Sequence, residues 1–328
     1  VRIFSGGSGR LWLVFGVLSG IGLQNKIDVV LLAAGLVAGL LLTRRFDVFR
    51  SRWIWLGGAV ATALFVPHVA WQVVHGWPTR EFVAKAQRGK ITPLGPVGFV
   101  AKQFVMAGPF GFSFALAGLG WLLAGSKARA FRPIGWAALV VLGVLAASVS
   151  KPYYFAPALT LLFPAAGVVL ETWTSGRFAR PLRAVTLLAA ALILVALPLV
   201  KPLLTEDAYV RYAAALGIRP GTDENHRIGR LPQFFADMHG WRELAEAVAA
   251  VNAALPAEDR ARACVYGRNY GEAAAIEYFG PALGLPPAIS QHNSYWIWGP
   301  GWCTGDVILI VGGTLADHID DFASVEPA

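Results

Sequence analysis

The stretch LLAAALILVALPLVKPLLTEDAYV, residues 187–210, carries the boundary that decides the fold. Residues 187–200 hold no charge and suit a hydrocarbon core, Lys201 and Pro202 close the run, and Glu206 and Asp207 open an acidic region. The same division holds outward in both directions. Sixteen of the twenty acidic residues follow Leu204, whereas only Asp28, Asp47, Glu81 and Glu171 precede it, against twenty Lys and Arg. The first part therefore has a net charge of +16 and the remainder −8. With 56% hydrophobic residues and a mean hydropathy of +0.54, the apolar positions arrive as long runs and not as amphipathic stripes, which excludes a single soluble domain. The expected architecture is a polytopic α-helical membrane protein with a carboxy-terminal soluble α/β domain, residues 1–204 and 205–328 respectively.

Seven apolar segments are expected in the first part, at 12–23, 27–43, 53–74, 97–124, 133–149, 155–171 and 184–203. The first is short for a core of roughly 30 Å at about 1.5 Å per residue, and reads as a broken or partly interfacial helix. Alternate loops carry Arg44, Arg45, Arg50 and Arg52, then Lys127, Arg129 and Arg132, then Arg177, Arg180 and Arg183. Positive charge marks the cytoplasmic side, so the acidic tail is expected outside the cytoplasmic membrane. One loop departs from this rule. Arg80, Lys85, Arg88 and Lys90 fall on the outer side, which points to an anionic ligand there, with a span count off by one as the competing reading. Lys102, shortly after, reads as snorkelling to the same interface.

In the tail, the apolar spacing of Leu244, Ala247, Val248 and Val251 predicts a helix within 237–255, ended by Pro256. ACVYG at 263–267 and DVILIVGG at 306–313 predict buried strands, with a short helix at 271–279 between them, hence a parallel βαβ unit. Cys264 and Cys303 would permit one disulfide in an oxidising compartment; spacing alone does not bring their Cα atoms together, and unpaired thiols are the expectation.

Chemistry-bearing residues gather at one expected face. Gln24, Asn25, Lys26, Ile27 and Asp28 interrupt two apolar runs. Lys26 and Asp28, two apart, do not face each other on an ideal helix, so they read as lining a helix break or as a plain outer loop. Lys151, Pro152, Tyr153 and Tyr154 form the next outer segment, either an interfacial aromatic belt or part of a phosphate-binding rim. The rim reading gathers Lys26, Lys151, Tyr153 and Tyr154 with Arg80, Lys85, Arg88 and Lys90. In the tail, Asn269 and Tyr270 stand at a strand-to-helix turn, where Asn269 reads first as a helix cap. His292, Asn293, Tyr295 and Trp296 combine polar and aromatic groups suited to a sugar acceptor, or to packing at the membrane interface. No His, Cys, Asp and Glu spacing suggests a metal site; no cofactor and no nucleic-acid partner are expected, and a divalent ion is left open.

The segments SGIGLQNKIDVVLLAAGLVAGLLL (19–42), FVPHVAWQVVHGW (65–77) and KPYYFAPALTLLFPAAGVVLE (151–171) resemble the membrane core of family 39-type glycosyltransferases of the GT-C fold. These are the relatives of dolichyl-phosphate-mannose-protein mannosyltransferases and of the aminoarabinose transferase. FADMHGW (235–241), YGRNYGEAAAIEYFGP (266–281) and SQHNSYWIWGP (290–300) resemble the extracytoplasmic domain of a bacterial subgroup. The resemblance implies transfer of a sugar from a polyprenyl-phosphate carrier to a lipid, glycan or protein acceptor. It implies a multi-pass protein of the inner, cytoplasmic membrane, with Lys26, Lys151, Tyr154 and Pro157 at carrier-facing positions. The acidic base of such enzymes lies on a first outer loop near the amino terminus, and no such unit precedes Leu11. The expectation is a chain lacking that part, with the base upstream of Val1 and Asp28 only a weak substitute. Two rival readings remain at this point. A transporter or flippase would place charges at mid-membrane, and these lie at segment ends; a membrane-anchored glycan-binding module would need fewer spans.

Overall fold

Long uncharged runs leave the backbone no polar partner but itself, so they close into helices. In the computed structural model, which describes residues 2–175, 179–222, 224 and 229–328, these are α1 Leu11–Asn25, α2 Val29–Leu42, α3 Arg52–Val74, α4 Pro96–Met106, α5 Pro109–Ala124, α6 Arg132–Ala147, α7 Ala156–Thr174 and α8 Ala179–Val200. Among the described residues four helical stretches are long and apolar enough to cross a membrane: Arg52–Val74, Arg129–Ala147, Pro152–Thr174 and Ala179–Val200. The expected single segment 97–124 is instead two helices bent by 114°. Gly108 takes φ +73°, in the left-handed region open to glycine, and Pro109 starts the next helix where a missing N–H costs nothing. Counting that pair as one span gives five. The 15 residues of α1 and the 14 of α2 reach only about 22 Å each.

Small residues set the helix pairs. A methyl group on Gly16 would overlap the backbone of Gly57, and one on Gly20 would press on Leu64, so α1 lies directly on α3 with both chains running the same way. Gly35 meets Ala137 and Val141 while Gly39 meets Pro133, which fixes α2 antiparallel to α6. Without a hydrophobic difference between lipid and leucine, close backbone contact of this kind is what holds helices together in a bilayer. Phe99, Phe112, Val141, Phe155 and Leu162 are buried where α4 to α7 converge. By contrast, α8 buries no residue, and its Leu187, Ile193 and Leu194 stand exposed, as suits a helix surrounded by lipid. The two pairings put the ends of α1, α3 and α6 and the start of α2 at the same end of the bundle.

The chain divides into two compact units, Val1–Ile218 with Thr222–Arg227, and Arg219–Gly221 with Ile228–Ala328. The helix Glu206–Ala215 (α9) belongs to the first, its Tyr212 hydroxyl donating to the Val195 carbonyl at 2.7 Å. In the second, β1 Ala263–Gly267, β2 Ala288–Ile289 and β3 Val307–Val311 form a parallel sheet of order β2-β1-β3, with Val265 opposite Ala288 and Leu309. Period-2 alternation turns Val265, Leu309 and Val311 onto the helices Trp241–Ala254 (α10) and Tyr270–Phe279 (α11), where Ala245, Ala273 and Ile276 complete a buried core. Cys264, on the opposite face, is bonded to Cys303 with Cα atoms 5.8 Å apart, which corrects the expectation of unpaired thiols. Strand alternation and the Gly299 and Gly301 turns bring the cysteines together, and neither is visible in their spacing of 39.

Candidate functional site

The shared end of the bundle is cationic. Helix α1 stops when Lys26 turns to extended backbone, φ −149° and ψ 123°, while its N–H still donates to Gly22 at 2.8 Å. The Gln24 amide anchors this end by donating to the Leu64 carbonyl at 2.5 Å. Because residues 26–28 are not helical, Lys26 and Asp28 do pair, at 3.2 Å, against the expectation drawn from helix geometry. The Lys26 ammonium also stands 4.7 Å from the Tyr154 ring centre and 5.5 Å from that of Tyr153. Cation and ring face attract through the ring quadrupole, and the attraction grows as water is excluded.

Lys151 reaches the same Tyr153 ring at 5.8 Å and donates to Glu224 Oε1 at 2.5 Å. Lys90 approaches that oxygen at 3.5 Å. Glu224 is held there by a backbone bridge to Ile91, which is buried. Its side chain is 9% exposed and that of Lys151 18%, so this carboxylate is nearly withdrawn from water between two cations. The connection bearing Lys151 is itself fixed from below. Buried Gln103 donates to the Pro152 carbonyl at 3.0 Å, and buried Ser150 donates to Leu145 at 2.8 Å. Three ammonium groups, two tyrosine rings and two carboxylates thus meet from four separate stretches of sequence. Ammonium groups gathered in this way can offer charge-assisted hydrogen bonds to an anion.

The structure does not bring every expected cation here. Lys85 pairs with Glu81 at 2.6 Å on an exposed helical turn, and Arg88 donates to its own helix at Ala84, 3.2 Å away. Arg80 is likewise exposed. Sequence reasoning missed Glu224, which lies between the last apolar segment and the first helix expected in the tail; a long-range bridge to Ile91 leaves no periodic signal.

In the second unit, Asn269 spends its side-chain oxygen on the N–H groups of Gly271 and Glu272, at 2.8 and 3.0 Å, as a helix cap. Tyr270 packs on His292, ring centres 5.1 Å apart, and its N–H donates to His292 Nδ1 at 3.4 Å. Asn293 adopts φ +56° ahead of the short helix Ser294–Trp298. Tyr295 is buried and donates to Glu277 at 2.7 Å; burial and then this bond push its phenol well above the ordinary tyrosine range. Trp296 is exposed. Among the described residues no group of three His, Cys, Asp or Glu is arranged to hold a metal ion.

Residues 1–71 match the family model of dolichyl-phosphate-mannose-protein mannosyltransferase. The matched part covers α1, α2, most of α3 and the break that carries Lys26 and Asp28. It supports a membrane glycosyltransferase of the GT-C type without choosing a member. No curated protein and no solved structure matches the chain. The match and the apolar helices together describe a multi-pass membrane protein.

Proposed function

We propose that this chain binds the carrier of a membrane glycosyltransferase reaction, in which a sugar passes from a polyprenyl phosphate to a lipid, glycan or protein acceptor. In that reaction the bond from the anomeric carbon to the phosphate oxygen breaks, the acceptor oxygen bonds to the carbon, and the phosphate departs with the electron pair. Cations that stabilise the departing charge, and a base that takes the acceptor proton, are the two requirements. Lys26, Lys90 and Lys151 answer the first. Asp28 and Glu224 are each engaged by lysine in this state, and we assign neither the base.

The observation that carries the reading is the meeting of Lys151 and Lys90 on one nearly buried carboxylate beside the tyrosine rings that Lys26 covers. Glu224 stands where the carrier phosphate binds, and the phosphate displaces it. A helical break beside charge-free helices lets a prenyl chain stay in lipid while its phosphate reaches the lysines. The disulfide in the second unit supports an extracytoplasmic location in the cytoplasmic membrane, since such bonds persist in oxidising compartments.

Binding of polyprenyl phosphate to the chain in lipid nanodiscs, against the uncharged polyprenol, tests this. Preference for the phosphate that falls at least about tenfold in Lys151→Gln, in line with a lost charge-assisted bond, is expected. Equal binding of phosphate and alcohol, or an unchanged preference in Lys151→Gln of native helicity, would sink the proposal.

A further inference from the structure

Parallel sheets are ordinarily covered on both faces. Here α10 and α11 cover only one. On the other, Tyr266, Ile308 and Ile310 floor a cavity of about 620 Å³, a size within the range of roughly 300–1,000 Å³ typical of small-molecule sites. The Cys264–Cys303 bond ties the chain segment that follows Trp298 to the same face of the sheet, and Trp296 forms part of the wall. Asp317, His318 and Asp321 line it together with Gln291 and Ser290. The lining therefore combines aliphatic and aromatic surface with carboxylate, imidazole and amide groups.

We infer that this cavity is a carbohydrate-binding site. A pyranose has the matching division: C–H faces that stack on Trp and Tyr rings, and equatorial hydroxyls that both donate and accept hydrogen bonds. A wholly apolar ligand would strand the polar side, and an anion would meet two carboxylates. The polar wall is set for the task. Asp317 Oδ2 accepts from the Thr314 N–H at 2.7 Å and from its hydroxyl at 3.1 Å, which fixes the carboxylate. His318 lines the cavity, and its Nε2 is buried with no hydrogen-bond partner among the described residues. A Cβ on Gly313, at φ +95°, would come within 2.8 Å of His318 Nε2 and 3.4 Å of Asp317 Oδ2.

The site shares no residue with the lysine rim and does not depend on the donor reading. Saturation-transfer NMR on the full chain in nanodiscs, with mannobiose, galactobiose and cellobiose as probes, tests it. Transfer to at least one disaccharide is expected, lost at least about fivefold in Trp296→Ala and in His318→Ala, retained in Trp302→Ala, an exposed ring outside the cavity lining, and retained in Lys151→Gln. Retention in Lys151→Gln separates this site from the rim, whatever the fate of the donor proposal. No transfer from any of the three, or transfer indifferent to both Trp296→Ala and His318→Ala, would overturn the inference. So would quenching of Trp296 by brominated lipid, which would make it a membrane anchor.

Discussion

Replacing Glu224 by Gln puts the displacement argument under strain. The carboxylate receives Lys151 at 2.5 Å and Lys90 at 3.5 Å, with Lys151 mostly buried and Lys90 44% exposed. A charge-assisted hydrogen bond contributes about 1.5–3 kcal/mol net, and a half-exposed ion pair about 0.2–1 kcal/mol. A phosphate that must displace Glu224 forgoes roughly 2–3 kcal/mol, or a factor of about 30–150 in affinity. Glutamine keeps one neutral hydrogen bond and recovers only part of this, so Glu224→Gln should bind polyprenyl phosphate about tenfold more tightly than the native chain. The effect should shrink as salt screens the exposed Lys90. Titration of polyprenyl phosphate into nanodisc-embedded protein, at low and moderate salt, reads it directly. Unchanged or weaker binding in a variant of native helicity would refute displacement, because it would mean that Glu224 supports the ligand or lies apart from it.

Other outcomes follow from the packing. Gly39→Leu forces a side chain into the backbone of Pro133 and should cost at least about 1–3 kcal/mol, seen as a lower melting temperature in detergent, whereas Gly58→Leu, with open space around it, should cost little. Cys303→Ser opens a loop spanning 39 residues and should destabilise the second unit by up to about 4 kcal/mol in the chain-entropy picture, measurable by denaturant titration under oxidising conditions; equal stability would mean that the thiols are not joined in solution. Hydrogen bonds from the Thr314 N–H and then its hydroxyl hold the Asp317 carboxyl below its ordinary range. A folded value below the unfolded one means that the contribution is present above the ordinary aspartate value of about 3.9 and is lost as pH falls through the lower, folded value. Asp317→Asn should therefore flatten the acid limb of the stability profile in that window, with the larger loss of stability at neutral pH, where the native contribution is present, and the smaller one below the folded value, as read by denaturant titration across pH.

The membrane helices were legible wherever hydrophobicity alone decides, as in the charge-free run before Lys201. Bends were not. The 114° turn at Gly108 sits inside an unbroken apolar stretch, and a glycine-proline pair there is compatible with either a kink or a continuous helix. In the tail, α10 followed from helical periodicity and β1 and β3 from short apolar runs, but the second strand, Ala288–Ile289, is too short to give such a signal. At the rim, local signals placed Lys26, Lys151 and the tyrosines one by one. Their meeting depends on glycine contacts between α1 and α3 and between α2 and α6, which are tertiary facts. Lys26 and Asp28 show the limit well: helix geometry forbids the pair, and the helix break that permits it is a property of the fold.

Glu224 alters what the scarcity of acid in the membrane part means. Sequence position put only four carboxylates before Leu204, which made the rim read as cationic with Asp28 its one weak candidate base. The fold returns one acidic residue from beyond that boundary to the lysines, where it is 9% exposed. Lysines left facing one another without an anion repel, and holding them together in the absence of ligand would cost free energy that binding must then supply. A resident carboxylate removes that cost and keeps the site assembled, at the expense of competing with the ligand. A phosphate carries more charge and more acceptor oxygens than a carboxylate, so it can win the exchange where a second carboxylate cannot. On the proposed reading, the rim would owe its selectivity to the carboxylate that already occupies it. The same logic predicts that acetate, even at high concentration, fails to displace Glu224, while inorganic phosphate does so weakly and a membrane-held phosphate does so well.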